Sequence, residues 1–157
     1  MTRWSALLGP MAWLISGAGG TPASPGQYVL NAETLVHAES GIGTYERTIR
    51  TTLDASLMIS GAEASLDVHR DGYACVLRGA AKGDSLTLFL GQRCPQSIRG
   101  DGFQADLDGR LKSGSVTISA NSLVLTTQWD VRGTVTVGPL SIPVTGTVST
   151  TATGPKI

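Results

Sequence analysis

Few residues in this chain carry reactive chemistry: two cysteines, two histidines and twelve carboxylates among 157 residues. Both cysteines fall in one stretch, "YACVLRGAAKGDSLTLFLGQRC", from Tyr73 to Cys94. A metal site would need further ligands, and neither His37 nor His69 belongs to this stretch. Redox pairs use Cys-x-x-Cys spacing, which is absent. A structural disulfide, Cys75–Cys94, is the remaining reading. A two-residue turn at Gly83-Asp84 would place Cys75 opposite Gln92 and Cys94 diagonally beyond it, on the face of Leu77 and Leu90. Diagonal neighbours lie ~7–8 Å apart, slightly long for a disulfide, so a bulge near Gly91 is expected to close the gap. The bond is then a staple on one hairpin, contributing ~3 kcal/mol on the chain-entropy model. It places the protein in an oxidising compartment.

The carboxylates offer one weak constellation. With a turn at Ser60-Gly61, Asp54 faces Asp67, His69 lies two residues along the same face, and Arg50 faces Asp71. Two carboxylates and an imidazole make a weak divalent-cation candidate. The preferred reading is a solvated charged face relieved by Arg50. His37 stands alone on the first strand as a surface or rim residue. "DLDG", Asp106 to Gly109, resembles part of a calcium loop, but the third acidic position and the distal Glu are missing. No nucleophile elbow, zinc-protease His pair, phosphate-cradling loop or dinucleotide fingerprint occurs. The chain reads as a non-enzyme, with no catalytic residues, cofactor or committed metal site. Residues 91–102, "GQRCPQSIRGDG", form the longest interruption between strand patterns. Long loops concentrate function, so Arg93, Arg99 and Asp101 are the expected partner contacts.

These groups must be positioned by strands. From Gln27 onward apolar residues alternate with period two, most clearly at Leu123, Leu125, Thr127, Trp129 and Val131. Two-residue loops are read at Ser60-Gly61, Asp71-Gly72, Gly83-Asp84, Ser113-Gly114, Asn121-Ser122 and Gly138-Pro139. Each sets a register that places apolar opposite apolar: Val68 with Cys75, Gly79 with Leu88, Leu111 with Val116, Val131 with Gly146. Nine strands follow: 27–38, 44–60, 62–70, 73–82, 85–91, 103–112, 115–120, 122–137 and 140–152. The predicted fold is all-β, an antiparallel up-and-down meander of about nine strands closing into a barrel, with a two-layer β-sandwich as the alternative. Pro143, which lacks an N–H, suits an edge strand and argues against complete closure. The expected interior includes Leu53, Leu57, Ile59, Leu66, Leu77, Leu90, Leu111, Leu125 and Trp129. The expected exterior carries Glu46, Arg50, Asp106, Asp108, Arg110, Asp130 and Arg132.

The whole chain has twelve basic and twelve acidic residues, a net charge of zero. It has no Lys/Arg run, which excludes the electrostatic footprint of a nucleic-acid binder. Residues 1–18 read as a signal peptide, with Arg3, an apolar stretch and small residues. That stretch is too short to span a bilayer, and no transmembrane span is expected in the mature protein. "LISGA" resembles a bacterial lipoprotein box, but Ala18 stands where its cysteine would be, so no lipid anchor is expected. Residues 19–26 read as a flexible linker, 27–153 as a single β domain and 154–157 as a C-terminal tail. Abundant Ala, Gly and Arg suit a GC-rich bacterial genome, and the expected location is periplasmic or extracellular. Short loops and 5% aromatics argue against an outer-membrane barrel. The expected function is that of a structural or protein-interaction module of the cell envelope, binding an unidentified protein. A carrier of an apolar small molecule or lipid is the alternative, and it would need an interior void of several hundred Å³.

Overall fold

The computed structural model describes residues 25–70 and 73–157. The expected signal peptide, nearly all of the linker and the Asp71-Gly72 turn lie outside the described residues. Nine strands are present among those described: β1 Gly26–Ser40, β2 Gly43–Ser60, β3 Glu63–Arg70, β4 Tyr73–Lys82, β5 Ser85–Leu88, β6 Arg93–Gly100, β7 Phe103–Ile118, β8 Ser122–Val137 and β9 Leu140–Pro155. All pair antiparallel in one sheet of order β5-β4-β3-β2-β1-β9-β8-β7-β6. Pairing of β5 with β7 closes a ring of hydrogen bonds. The ring is not evenly barrel-shaped, and its form is consistent with a barrel or a flattened sandwich.

Period-two alternation drives this arrangement. On β8, Leu123, Leu125, Thr127, Trp129 and Val131 are buried, while Val124, Thr126, Asp130 and Arg132 are exposed. The expected exterior residues are exposed without exception. Of the expected interior residues named above, Leu90 is 69% exposed, because β5 ends at Leu88 and the chain leaves the sheet there. Ile59 is half-buried near a strand end.

Three hairpin registers match the sequence reading: Val68 with Cys75, Gly79 with Leu88 and Val131 with Gly146. The first also follows from Arg70 pairing with Tyr73. Three expected turns are corrected, the first being Asn121-Ser122: Ile118 pairs with Leu123, which centres that loop on Ala120-Asn121. The β2–β3 loop is Gly61-Ala62, since Ser60 pairs with Glu63. Gly61 has φ 64°, and a primed hairpin turn needs positive φ at its first central residue, so the glycine leads the loop. Ser113-Gly114 is no turn at all. β7 runs through it, pairing Leu111 with Trp129 and Val116 with Leu125, with a bulge between Leu111 and Ser113. The extra residue Lys112 reverses the in/out parity, which in the sequence looks like a chain reversal.

Residues 93–100 are strand β6, followed by a two-residue loop at Asp101-Gly102, in place of most of the expected long loop. The Asp-Gly dipeptide there is the same turn signal as at residues 71–72, and Gly100 pairs with Phe103 across it. Ring closure is compatible with Pro143. β9 pairs with β1 only from Thr145 onward, so Pro143 sits where β9 projects beyond β1 and no partner needs its N–H. The C-terminus is also more ordered than a fraying end. β9 continues to Pro155, and the Lys156 and Ile157 N–H groups donate to Asn121 and Gln27 carbonyls, both at 2.8 Å. At the other end, Gly26, the last residue of the expected linker, already belongs to β1.

Close approach of neighbouring strands rests on glycines with no room for a side chain. A Cβ at Gly146 would strike the His37 carbonyl oxygen of neighbouring β1, and one at Gly133 the Asp106 carbonyl oxygen of β7. Strands can approach so closely at a sheet corner only where the side chain is absent.

Candidate functional site

The Cys75–Cys94 disulfide forms, with a Cα–Cα distance of 5.9 Å. Its role differs from a hairpin staple. β4 pairs with β5 only over residues 79–82, and β5 pairs with β7 only over 115–117. Below that level β6 takes the same place beside β7, pairing with residues 103–110. The ring thus has eight strand positions, one of them shared end to end by β5 and β6. No ladder joins β4 to β6 among the described residues. This is the seam of the sheet, and the disulfide crosses it.

Side chains replace the missing ladder. The Arg78 N–H donates to Gln92 Oε1 at 2.8 Å, and Gln92 Nε2 donates to the Arg78 and Phe89 carbonyls at 2.7 Å each. The Gln92 amide therefore imitates a peptide group on the open edge of β4. Further along, Arg70 Nη2 donates a long 3.4 Å bond to the Ser97 carbonyl of β6. Antiparallel strands direct alternate residues to alternate neighbours, which puts Pro95 on the same free edge as Ser97. Proline there withholds a donor and blunts the edge against pairing with other chains.

Behind the seam is a cavity of about 50 Å³. Val68, Arg70, Tyr73 and Leu77 line it from β3 and β4, and Gln96, Ser97 and Ile98 from β6. Its far wall includes Thr34, Thr51, Thr127, Thr150 and Trp129. The hydroxyls of Thr34 and Thr150 are 2.9 Å apart, and Trp129 Nε1 donates to Thr127 Oγ1 at 3.1 Å. Gln96 and Thr127 are the buried polar residues of the described core. The Arg70 guanidinium lies 5.9 Å from the Tyr73 ring centroid. Burial pushes the Tyr73 phenol above its ordinary pKa, and the Arg70 charge partly opposes this. Sequence reasoning missed this group. Arg70 and Tyr73 flank one turn, but Gln96 is more than twenty residues further on, and strand alternation marks only that Gln96 shares a face with Cys94 and Ile98.

A second feature lies on the outer face of β6, β7, β8, β9 and β1. Cross-strand pairing aligns Arg93, Arg110, Asp130, Thr147 and His37 in one row. The next row is Pro95, Asp108, Arg132, Thr145 and Glu39. Together they border a concavity of about 690 Å³. His37 approaches Glu46 at 3.3 Å and Glu39 at 3.6 Å, and Arg93 lies 4.0 Å from Asp108. Arg110, Asp130 and Arg132 make no ion pair within 4.0 Å among the described residues.

Of the expected partner contacts, Arg93 belongs to this face, while Arg99 near the other end of β6 and Asp101 in the following turn do not. The weak metal constellation is not assembled as expected. The shifted β2–β3 register puts His69 opposite Asp54 and Ser56 opposite Asp67, with His69 Nδ1 3.9 Å from Asp67 Oδ1. All three residues are exposed, and no group of three or more metal-ligating side chains is close enough to hold an ion among the described residues. Arg50 pairs with Glu33 at 3.0 Å, while Asp71 lies outside the described residues. No helix among the described residues is long and apolar enough to cross a membrane.

No family model matches this sequence, and no curated protein matches it. Solved structures that match include a candidate AttH protein from Nitrosomonas europaea, 11% identical over 83% of this chain and 52% of that chain, with a TM-score of 0.42. Another is the ywiB protein of Bacillus subtilis, 12% identical over 83% of this chain and 92% of that chain, with a TM-score of 0.33. This chain spans about half the length of the Nitrosomonas protein, 52%. Likeness at these levels carries no argument about function.

Proposed function

We propose that this chain is an exported, non-catalytic β module of the periplasm or cell exterior that acts by binding another protein through its charged outer face. The observation that carries this reading is the pair of charged rows crossing β6, β7, β8, β9 and β1 around a concavity of about 690 Å³. Arg110, Arg132 and Asp130 point into it without ion-pair partners among the described residues, so a partner's charges can pair with them at little cost. A disulfide is compatible with an oxidising compartment, which supports export. The carrier reading is less well supported, because a lipid-sized ligand needs roughly 300 Å³ or more, against the 50 Å³ behind the seam.

Site-specific photo-crosslinking in the native host tests the reading. A photoreactive residue at Arg110 is expected to capture one defined protein, and the same probe at Asp67, on β3 across the ring, is expected to capture none. Arg110→Glu with Arg132→Glu, probed at Thr147, should reduce capture several-fold. Equal capture at both faces, or none at either, overturns the proposal.

A further inference from the structure

We propose that the cavity behind the β4–β6 seam is a binding site for a small monoanionic carboxylate, taken head first against Arg70. This is independent of the outer face. Arg70 is the one formally charged side chain lining the cavity, and it has no carboxylate within 4.0 Å among the described residues. Its partners among the described residues are the Ser97 carbonyl at a long 3.4 Å and the face of Tyr73. A guanidinium held half-buried with only these contacts retains unused N–H donors, and its planar fork matches a carboxylate in bidentate geometry.

The remaining walls select the rest of the ligand. Leu77, Ile98 and Trp129 offer apolar surface to a short alkyl tail. The volume is only about 50 Å³, so the ligand has no more than a few carbons. Inorganic phosphate fits poorly, because its second charge would have no cation to face: Arg70 is the one charged side chain of the lining. Access is through the seam, where Arg70, Tyr73 and Ser97 are each half-buried and no backbone ladder among the described residues bars the way. Displacing the long Arg70–Ser97 bond costs little, since the carboxylate supplies shorter, charge-assisted bonds in exchange.

Titration of the ¹⁵N-labelled full chain with butyrate, followed by NMR, tests this. Trp129 is the tryptophan among the described residues, and its indole resonance, assigned with Trp129→Phe, reports from inside the cavity. Butyrate is expected to shift the Trp129 indole and Ser97 amide signals with a common saturation curve. 1-Butanol and inorganic phosphate are expected to give no saturable shift. Arg70→Gln, checked for folding by its dispersed amide spectrum, should weaken butyrate binding at least tenfold. The proposal is overturned by an absence of saturable shifts with butyrate, by saturation with butanol or phosphate of similar strength, or by unchanged affinity in Arg70→Gln. The butyrate-against-butanol contrast is read on the unaltered protein, so it decides the matter even where the variant does not fold.

Discussion

Tyr73 and Gly146 carry constraints that a side-chain inventory does not reveal. Tyr73 is neutral in the fold, and burial raises its pKa above the ordinary 10.0. A raised acid pKa means the folded state disfavours the anion, so this contribution is complete below pH 10.0 and is lost as pH rises through the folded value. Urea unfolding of the wild type is therefore expected to weaken above pH 10, and Tyr73→Phe should flatten that alkaline limb. Gly146 is required by a close approach of strands. Gly146→Ala is expected to cost about 3 kcal/mol or to prevent folding, the range for an overpacked backbone contact. Gly41→Ala meets nothing within 4 Å and should change stability by less than about 0.5 kcal/mol. Nothing local in the sequence separates these two glycines, because the atom that excludes a Cβ at Gly146 belongs to His37, on a strand more than a hundred residues away.

Elements were mostly legible, because alternation survives without knowledge of partners. β3, β4 and β8 follow the expected boundaries closely, since each ends at a turn dipeptide whose backbone needs are local. The errors share one cause. Leu111 and Val116 both face inward although their spacing is odd, and either a hairpin or a bulge can produce that parity. Only pairing with β8 distinguishes them. Gln92 is a similar case, read as part of the 91–102 loop, yet its side-chain amide completes the edge of β4. Gln92→Leu is expected to cost about 1 kcal/mol, the usual net worth of hydrogen bonds lost at an exposed edge. Amide exchange at Arg78 should quicken by more than the global loss of stability accounts for, whereas equal protection would mean that water replaces Gln92 without cost.

For the molecule as a whole, the disulfide secures a seam in a ring that is otherwise closed. The Cys75→Ala, Cys94→Ala double variant should lose about 3 kcal/mol in urea unfolding. Pairing of β5 with β7 persists without the bond, so the ring should stay folded while β6 loses protection first. Hydrogen exchange should show quickened Gln96 and Ile98 amides against slow β1 and β9 amides. Uniform loss of protection would mean that the disulfide holds the entire sheet.

The sequence by itself determined the all-β class, the outward charges, most of the core and the disulfide chemistry of the cysteines, because side-chain alternation and turn dipeptides act over two to four residues. Tertiary structure alone decided where the meander closes, that Cys75 and Cys94 bridge an unpaired seam, and which charges share a face. Those depend on pairings such as β1 with β9, which join Asn31 to Thr153. A local pattern sets which way a side chain points, but only the closed ring of hydrogen bonds sets what stands opposite it.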